Sequence, residues 1–268
     1  MARPETISSA ANPLVKSVRR AIARGTLTED GLCVAESFHL LEEALRSECA
    51  VKVVLAARSV ESAVEAHIRR LAGIRMAVLP DALFESLAGT ESSQGVIALV
   101  VPPAWILEQL FRGCSLVVAL DGVQDPGNAG AIVRAADAFG ATGVMFLKGA
   151  VSPFNPKTLR ASAGSLFRVP FVHALDAELA RAAFKQNKLD VYAGVPFTAQ
   201  NHVKALDGVD LTRKCAVIIG SEGRGVSQRL HAGAIDLAVP TVGVESLNAA
   251  MAASVILYEA RRQRSLKP

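Results

Sequence analysis

The sequence lacks any run of about 18 apolar residues free of charge or turn residues, the length a membrane-spanning helix needs. Its first residues, MARPETISSAANP, hold no apolar core of signal-peptide length. Both absences lead to the expectation of a cytoplasmic protein. The four cysteines, Cys33, Cys49, Cys114 and Cys215, lie far apart and form no CxxC, which predicts reduced packing thiols. The five histidines are scattered and no HExxH is present, so no metal is expected. Solenoid repeats and low-complexity tracts are missing too.

What is present suits a folded protein that meets an anion. Apolar residues make up 51% of the 268 and charged residues 20%, enough to bury cores and too apolar for wholesale disorder. The net charge of +4 is a mild basic bias. Residues 12–25, NPLVKSVRRAIARG, predict a helix with Asn12 as N-cap, Pro13 at its first position and Gly25 as its stop. Leu14, Val18 and Ile22 form an apolar stripe, and Lys16, Arg20 and Arg24 a basic one. That basic face is either solvated or a phosphate contact.

Strands and helices alternate from 31 to 101, which predicts a mostly parallel, helix-covered sheet. Glu36 and TESSQG (90–95) read as loop positions that are ordinary turns or touch a ligand. VPPAW (101–105) breaks the pattern, and the boundary is set there: residues 1–103, then 104–268. The alternation resumes from 115, so the fold class is α/β in both halves.

Three strands of the second half end in unusual loops: DGVQDPGNAGAIVRAA (121–136), IIGSEGRGVS (218–227) and VPTVGVESLNAAMAASVILYE (239–259). Ligands of α/β sheets bind at the carboxyl ends of strands, and glycine lets backbone approach them. Three such loops in one domain point to one shared site. The dinucleotide fingerprint GxGxxG is absent, as is the P-loop GxxxxGK[ST]. Read alone, Asn128 is an N-cap or a site residue, and Arg134 is a site residue or a surface partner of Asp137. Ser246 suits an N-cap of the last helix, expected from about 246 to 264.

These three segments resemble the signature motifs of SpoU-type RNA ribose 2′-O-methyltransferases, in order and spacing. RASAGSLFRVP (160–170) and TESSQGVIALV (90–100) are similar to the family as well. The N-terminal half resembles the ribosomal-protein-like substrate-binding domain of two-domain members. The resemblance implies a deep trefoil knot in the second domain, where periodicity alone gives an ordinary doubly wound sheet. It implies S-adenosylmethionine as cofactor, held by Gly220, Glu222, Gly223, Val239, Pro240, Gly243, Ser246, Leu247 and Asn248.

By the same resemblance Arg134, Asn128 and Glu222 are the catalytic candidates. Arg160 and Ser162, with Lys16, Arg20 and Arg24, are candidates for RNA contact. The implied partners are RNA, ribosomal more than transfer, and a second copy of the chain docked through the first and last helices of the second domain. Competing readings are a base-nitrogen methyltransferase, a non-catalytic RNA-binding protein and, last, an oxidoreductase.

Overall fold

The computed structural model describes residues 4–69, 71, 73–90, 93–197 and 203–266. Glu91 and Ser92 of TESSQG, and Lys267 of the basic end, lie outside the described residues. The elements run β1 (Glu5–Thr6), α1 (Pro13–Arg24), β2 (Cys33–Glu36), α2 (Phe38–Arg46), β3 (Val51–Ala57), α3 (Glu61–Ile68), β4 (Arg75–Leu79), α4 (Asp81–Glu85) and β5 (Val96–Val100). They continue as β6 (Leu116–Asp121), α5 (Pro126–Ala138), β7 (Gly143–Leu147), α6 (Pro156–Ala161), β8 (Phe171–Leu175), α7 (Ala177–Gln186), β9 (Asp190–Gly194), β10 (Lys204–Ala205), β11 (Cys215–Gly220), α8 (Gln228–His231), β12 (Ile235–Ala238) and α9 (Ala249–Ser265).

The chain divides into two compact units. One runs to Ala104 and takes in Phe154–Arg168; the other comprises Trp105–Pro153 and the chain from Val169 onward. Division at 103/104 by sequence left residues 154–168 with the second domain, whereas they pack with the first unit.

The first unit holds a five-stranded sheet in the order β1-β4-β3-β5-β2. It is mixed, not mostly parallel: β5 runs antiparallel to both β3 and β2. Periodicity records which residues are buried and carries no strand direction, so this was not legible. Helix α1 has the boundaries its caps predict. The Asn12 side chain accepts the Leu14 N–H at 2.9 Å, and Gly25 ends the helix at φ 64°. The buried face centres on Val15, Val18 and Ala21, with Leu14 and Ile22 at its rim.

Segment 154–168 is fastened to this unit by carboxylates. Glu36 lies in β2 with its side chain 3% exposed, so it is no open loop position. A buried carboxylate needs partners, and Glu36 has three. It accepts from Arg160 Nη1 at 2.8 Å, from the Gly89 N–H at 3.2 Å and from the Thr90 hydroxyl at 3.1 Å. Glu43, on α2, pairs with Arg168 and Arg46. Burial pulls the Glu43 carboxyl up, but the hydrogen bond and charge of Arg168 outweigh it and hold the group below its ordinary value.

The second unit holds a seven-stranded sheet, β10-β12-β9-β11-β6-β7-β8, with every pairing parallel. On one face Ala180, Phe184 and Leu230, from α7 and α8, pack on Val117, Met145 and Ile218. Elsewhere on the sheet, α5 packs on β7 and α9 on β11, and the two helices pack on each other. Cys33 and Cys215 are buried. Burial, with small effects of neighbouring groups, pushes their thiols up to about 12 and about 11.

Removing Glu36 strands the Arg160 guanidinium. Glu36→Ala is expected to cost the first unit about 3 kcal/mol and to speed amide hydrogen exchange across 154–168. Unchanged exchange in that segment would contradict the fastening role.

Candidate active site

Strands β6 and β11 are neighbours at the middle of the second sheet, and β12 lies two strands from β11 across β9. Parallel strands release their carboxyl ends on one edge, so the loops at 121–125, 220–227 and 239–248 meet there. Each is tied to the next by side chains. Asp121, at the end of β6, accepts the Ser227 N–H at 2.6 Å. Asp125 caps α5, accepting the Asn128 N–H at 2.7 Å, with Pro126 at the first helical position.

Asn128 is therefore not the cap. It sits inside the first turn with its carboxamide free to act across the loops. Its Nδ2 donates to Glu222 of the second loop, and its Oδ1 accepts from Asn248 Nδ2 of the third at 3.0 Å. The polarity of this chain is forced. A carboxylate only accepts, so Nδ2 must face Glu222. Asn248 must offer its nitrogen, because its Oδ1 already accepts the Ala250 and Met251 N–H groups as the cap of α9. Asn248, not Ser246, is thus the N-cap, and α9 starts at Ala249. One carboxamide joins all three loops.

Beside this chain, bordered by Glu222 and Asn248, lies a cavity of about 520 Å³. Gly220, Glu222 and Gly223 line it from the second loop; Val239, Ser246, Leu247 and Asn248 line it from the third. Pro240 and Gly243, expected there, are not among its walls. Sequence reasoning missed the wall formed by Gly194–Phe197 at the exit of β9, although Gly-Val-Pro after an apolar run is itself a strand-exit signal. It also missed Leu237 and Ile256, which read as plain core.

The glycines differ in what they permit. A Cβ at Gly220 would lie 2.1 Å from the Gly225 carbonyl carbon, inside the turn closed by the Gly225 N–H to Ser221 O bond of 2.9 Å. A Cβ at Gly223 would meet nothing within 4 Å. Gly220 is required by the loop itself, and Gly223 leaves open space beside the cavity.

Arg134 is exposed on α5, lines neither this cavity nor the neighbouring cleft, and has no hydrogen-bond or ion-pair partner among the described residues. Arg160 is paired with Glu36. Ser162 is fully buried and donates to the Leu159 carbonyl at 2.7 Å. Ser162 has no exposed surface to offer RNA. Lys16, Arg20 and Arg24 are exposed along α1, with Arg20 paired to Glu29. At the basic end, Arg264 donates to the Leu211 and Cys114 carbonyls at 2.9 and 2.7 Å, and Arg262 pairs with Glu259.

The forced polarity makes a testable contrast. Asn128→Asp sets a carboxylate against Glu222, whereas Asn128→Ala only deletes the bridge. At neutral pH the Asp variant is expected to unfold at a lower temperature than the Ala variant. Equal unfolding temperatures for the two variants would contradict the assignment.

Residues 115–258 match the SpoU rRNA Methylase family, and residues 12–98 match the MRM3-like substrate binding domain. The 23S rRNA (guanosine(2553)-2′-O)-methyltransferase RlmP of Bacillus subtilis is 32% identical, over 95% of this chain and 98% of that protein. The 23S rRNA (uridine(2479)-2′-O)-methyltransferase of Streptomyces viridochromogenes is 35% identical, over 71% of this chain and 68% of that protein. The structure of the SpoU methyltransferase AviRb from Streptomyces viridochromogenes, in complex with the cofactor AdoMet, superimposes with a TM-score of 0.83 at 25% identity, covering 96% of this chain and all of that one. An AdoMet-bound rRNA methyltransferase from Sinorhizobium meliloti gives 0.80 at 26% identity, over 96% of this chain and 97% of that one. The chain belongs to the SpoU rRNA methylase family, in its form with an N-terminal substrate-binding domain.

Proposed function

We propose that this enzyme transfers the methyl group of S-adenosylmethionine to a ribose 2′-hydroxyl of ribosomal RNA. The observation that carries the reading is the Glu222–Asn128–Asn248 chain, which ties the first strand-exit loop to the two loops that line the cavity. The names of the relatives support ribosomal over transfer RNA.

The cavity fits the cofactor. Its volume, about 520 Å³, lies in the range of small-molecule sites, ~300–1,000 Å³. Ile219, Leu237, Val239 and Ile256 offer an apolar wall for a flat base, and loop backbone offers donors and acceptors to its edge. Among the described lining residues Glu222 is the one carboxylate, which favours a positive ligand, and Arg224, the one cation, also lines the neighbouring cleft. Bound there, the cofactor supplies an electrophilic methyl group on a sulfonium.

The protein's part is orientation and charge. Asn128 holds Glu222 and Asn248 at fixed positions about the cavity, so the loops do not reorganise during transfer. Arg134 offers directed N–H donors with no acid paired to them among the described residues, suited to a 2′-oxygen gaining negative charge. A guanidinium is effectively always protonated in a protein, so Arg134 stabilises charge and does not remove the proton. A substrate phosphate or water takes it.

Four further readings belong to this proposal. Arg134 lies outside the cavity of its own chain, and α9 exposes Met251, Val255 and Tyr258 at spacings of four and three. A second copy docked on α5 and α9 would cover that stripe. The exposed Lys16, Arg20 and Arg24 give the first unit a phosphate-binding face. The family resemblance carries the trefoil knot in the second unit and a cytoplasmic setting.

Two variants separate binding from chemistry. Arg134→Ala should retain S-adenosylmethionine affinity and lose about 100-fold or more in methyl transfer to unmodified 23S rRNA transcript. Gly220→Ala should lose cofactor binding, since its Cβ displaces the Gly225 backbone. Full transfer by Arg134→Ala would refute its role.

A further inference from the structure

Beside the cofactor cavity lies a second cleft of about 460 Å³, and the two share the turn Ser221–Gly225. Its polar walls include Asp121, Glu222, Gln124, Lys148 and Arg224. The two carboxylates have acceptor capacity committed elsewhere: Asp121 takes the Ser227 N–H and Glu222 the Asn128 amide. The donors are less committed. Arg224 is exposed, and its guanidinium has no hydrogen-bond or ion-pair partner among the described residues. The Gln124 side chain likewise has none. Lys148 pairs with Asp176 at 2.8 Å, but its side chain is 63% exposed, so the pair is solvated and exchangeable. The lining thus sets two carboxylates against two cations, and of these charged groups the Arg224 guanidinium alone has no hydrogen-bond or ion-pair partner among the described residues, so it is the group with charge to offer an anion.

The chemistry of the acceptor says which anion must come near. A ribose 2′-oxygen is only a few bonds from the phosphodiester on its own 3′-oxygen. Any RNA that presents its 2′-hydroxyl to the cofactor cavity must lay that phosphate beside the cavity's rim, and the rim next to this cleft is the Ser221–Gly225 turn. Arg224 stands on that turn and borders both spaces.

Resting on the proposed 2′-O-methyl transfer, we infer that Arg224 and Lys148 form an RNA-backbone subsite that holds the phosphodiester flanking the target ribose. Arg224 is the primary contact, because it needs to break no ion pair. Lys148 joins by leaving Asp176. They are positioning residues: they fix the register of the strand and leave the cofactor alone.

The test uses the full chain, S-adenosylmethionine and unmodified 23S rRNA transcript. Arg224→Gln and Lys148→Gln should raise the KM for RNA about tenfold and severalfold, with S-adenosylmethionine affinity and melting temperature unchanged. Each lost phosphate contact should also flatten the slope of log RNA affinity against log salt by about 0.7. Arg224→Lys should restore the slope. A parallel loss of S-adenosylmethionine affinity would overturn the subsite and make Arg224 a cofactor ligand. Unchanged KM and slope, with wild-type enzyme active, would overturn the subsite alone. No methyl transfer by wild-type enzyme to any RNA would overturn the proposed reaction and the subsite together.

Discussion

The second unit's site depends on a single carboxamide. Three loops leave three strands of one parallel sheet, and nothing in the sheet ladder fixes their tips. The Asn128 side chain does so by donating to Glu222 and accepting from Asn248. It can do both only because Asp125 has taken over the capping of α5. Asn248 can donate only because its oxygen is committed to the start of α9. Helix capping and site assembly are thus one network, and an error in either would loosen both.

Much of this was legible in the residues. Capped helices such as α1 announce themselves through Asn-Pro and Gly, because those residues satisfy orphan backbone groups locally. That the three glycine-bearing strand exits meet was legible, because ligand approach or tight turning calls for such loops at one sheet edge. Capping was ambiguous where two candidates stood close together. Asp125-Pro126 outranks Asn128 because proline favours the first helical position. In the last loop Asn248 outranks Ser246 for the α9 cap.

Other features were not legible because they arise from long-range pairing. The sequence of β5, VIALV, is apolar throughout, as a buried strand of either direction can be. Arg160 and Ser162 read as site residues, but their environment is set by Glu36, more than a hundred residues earlier, and by burial of α6. The wall at Gly194–Phe197 joins the cavity because β9 lies between β11 and β12, a strand order that local pattern does not encode. The family resemblance supplied the chemistry that periodicity could not, and the structure separated residues that line the cavity from Pro240 and Gly243, which do not.

The central claim is that these loops direct methyl transfer to a ribose hydroxyl. The most direct measurement is to incubate the enzyme with methyl-labelled S-adenosylmethionine and size-fractionated unmodified RNA, digest the RNA and identify the labelled nucleoside. The account predicts a 2′-O-methylated nucleoside from large ribosomal RNA. Label on a base nitrogen, or none in any fraction from an enzyme that binds the cofactor, would contradict it.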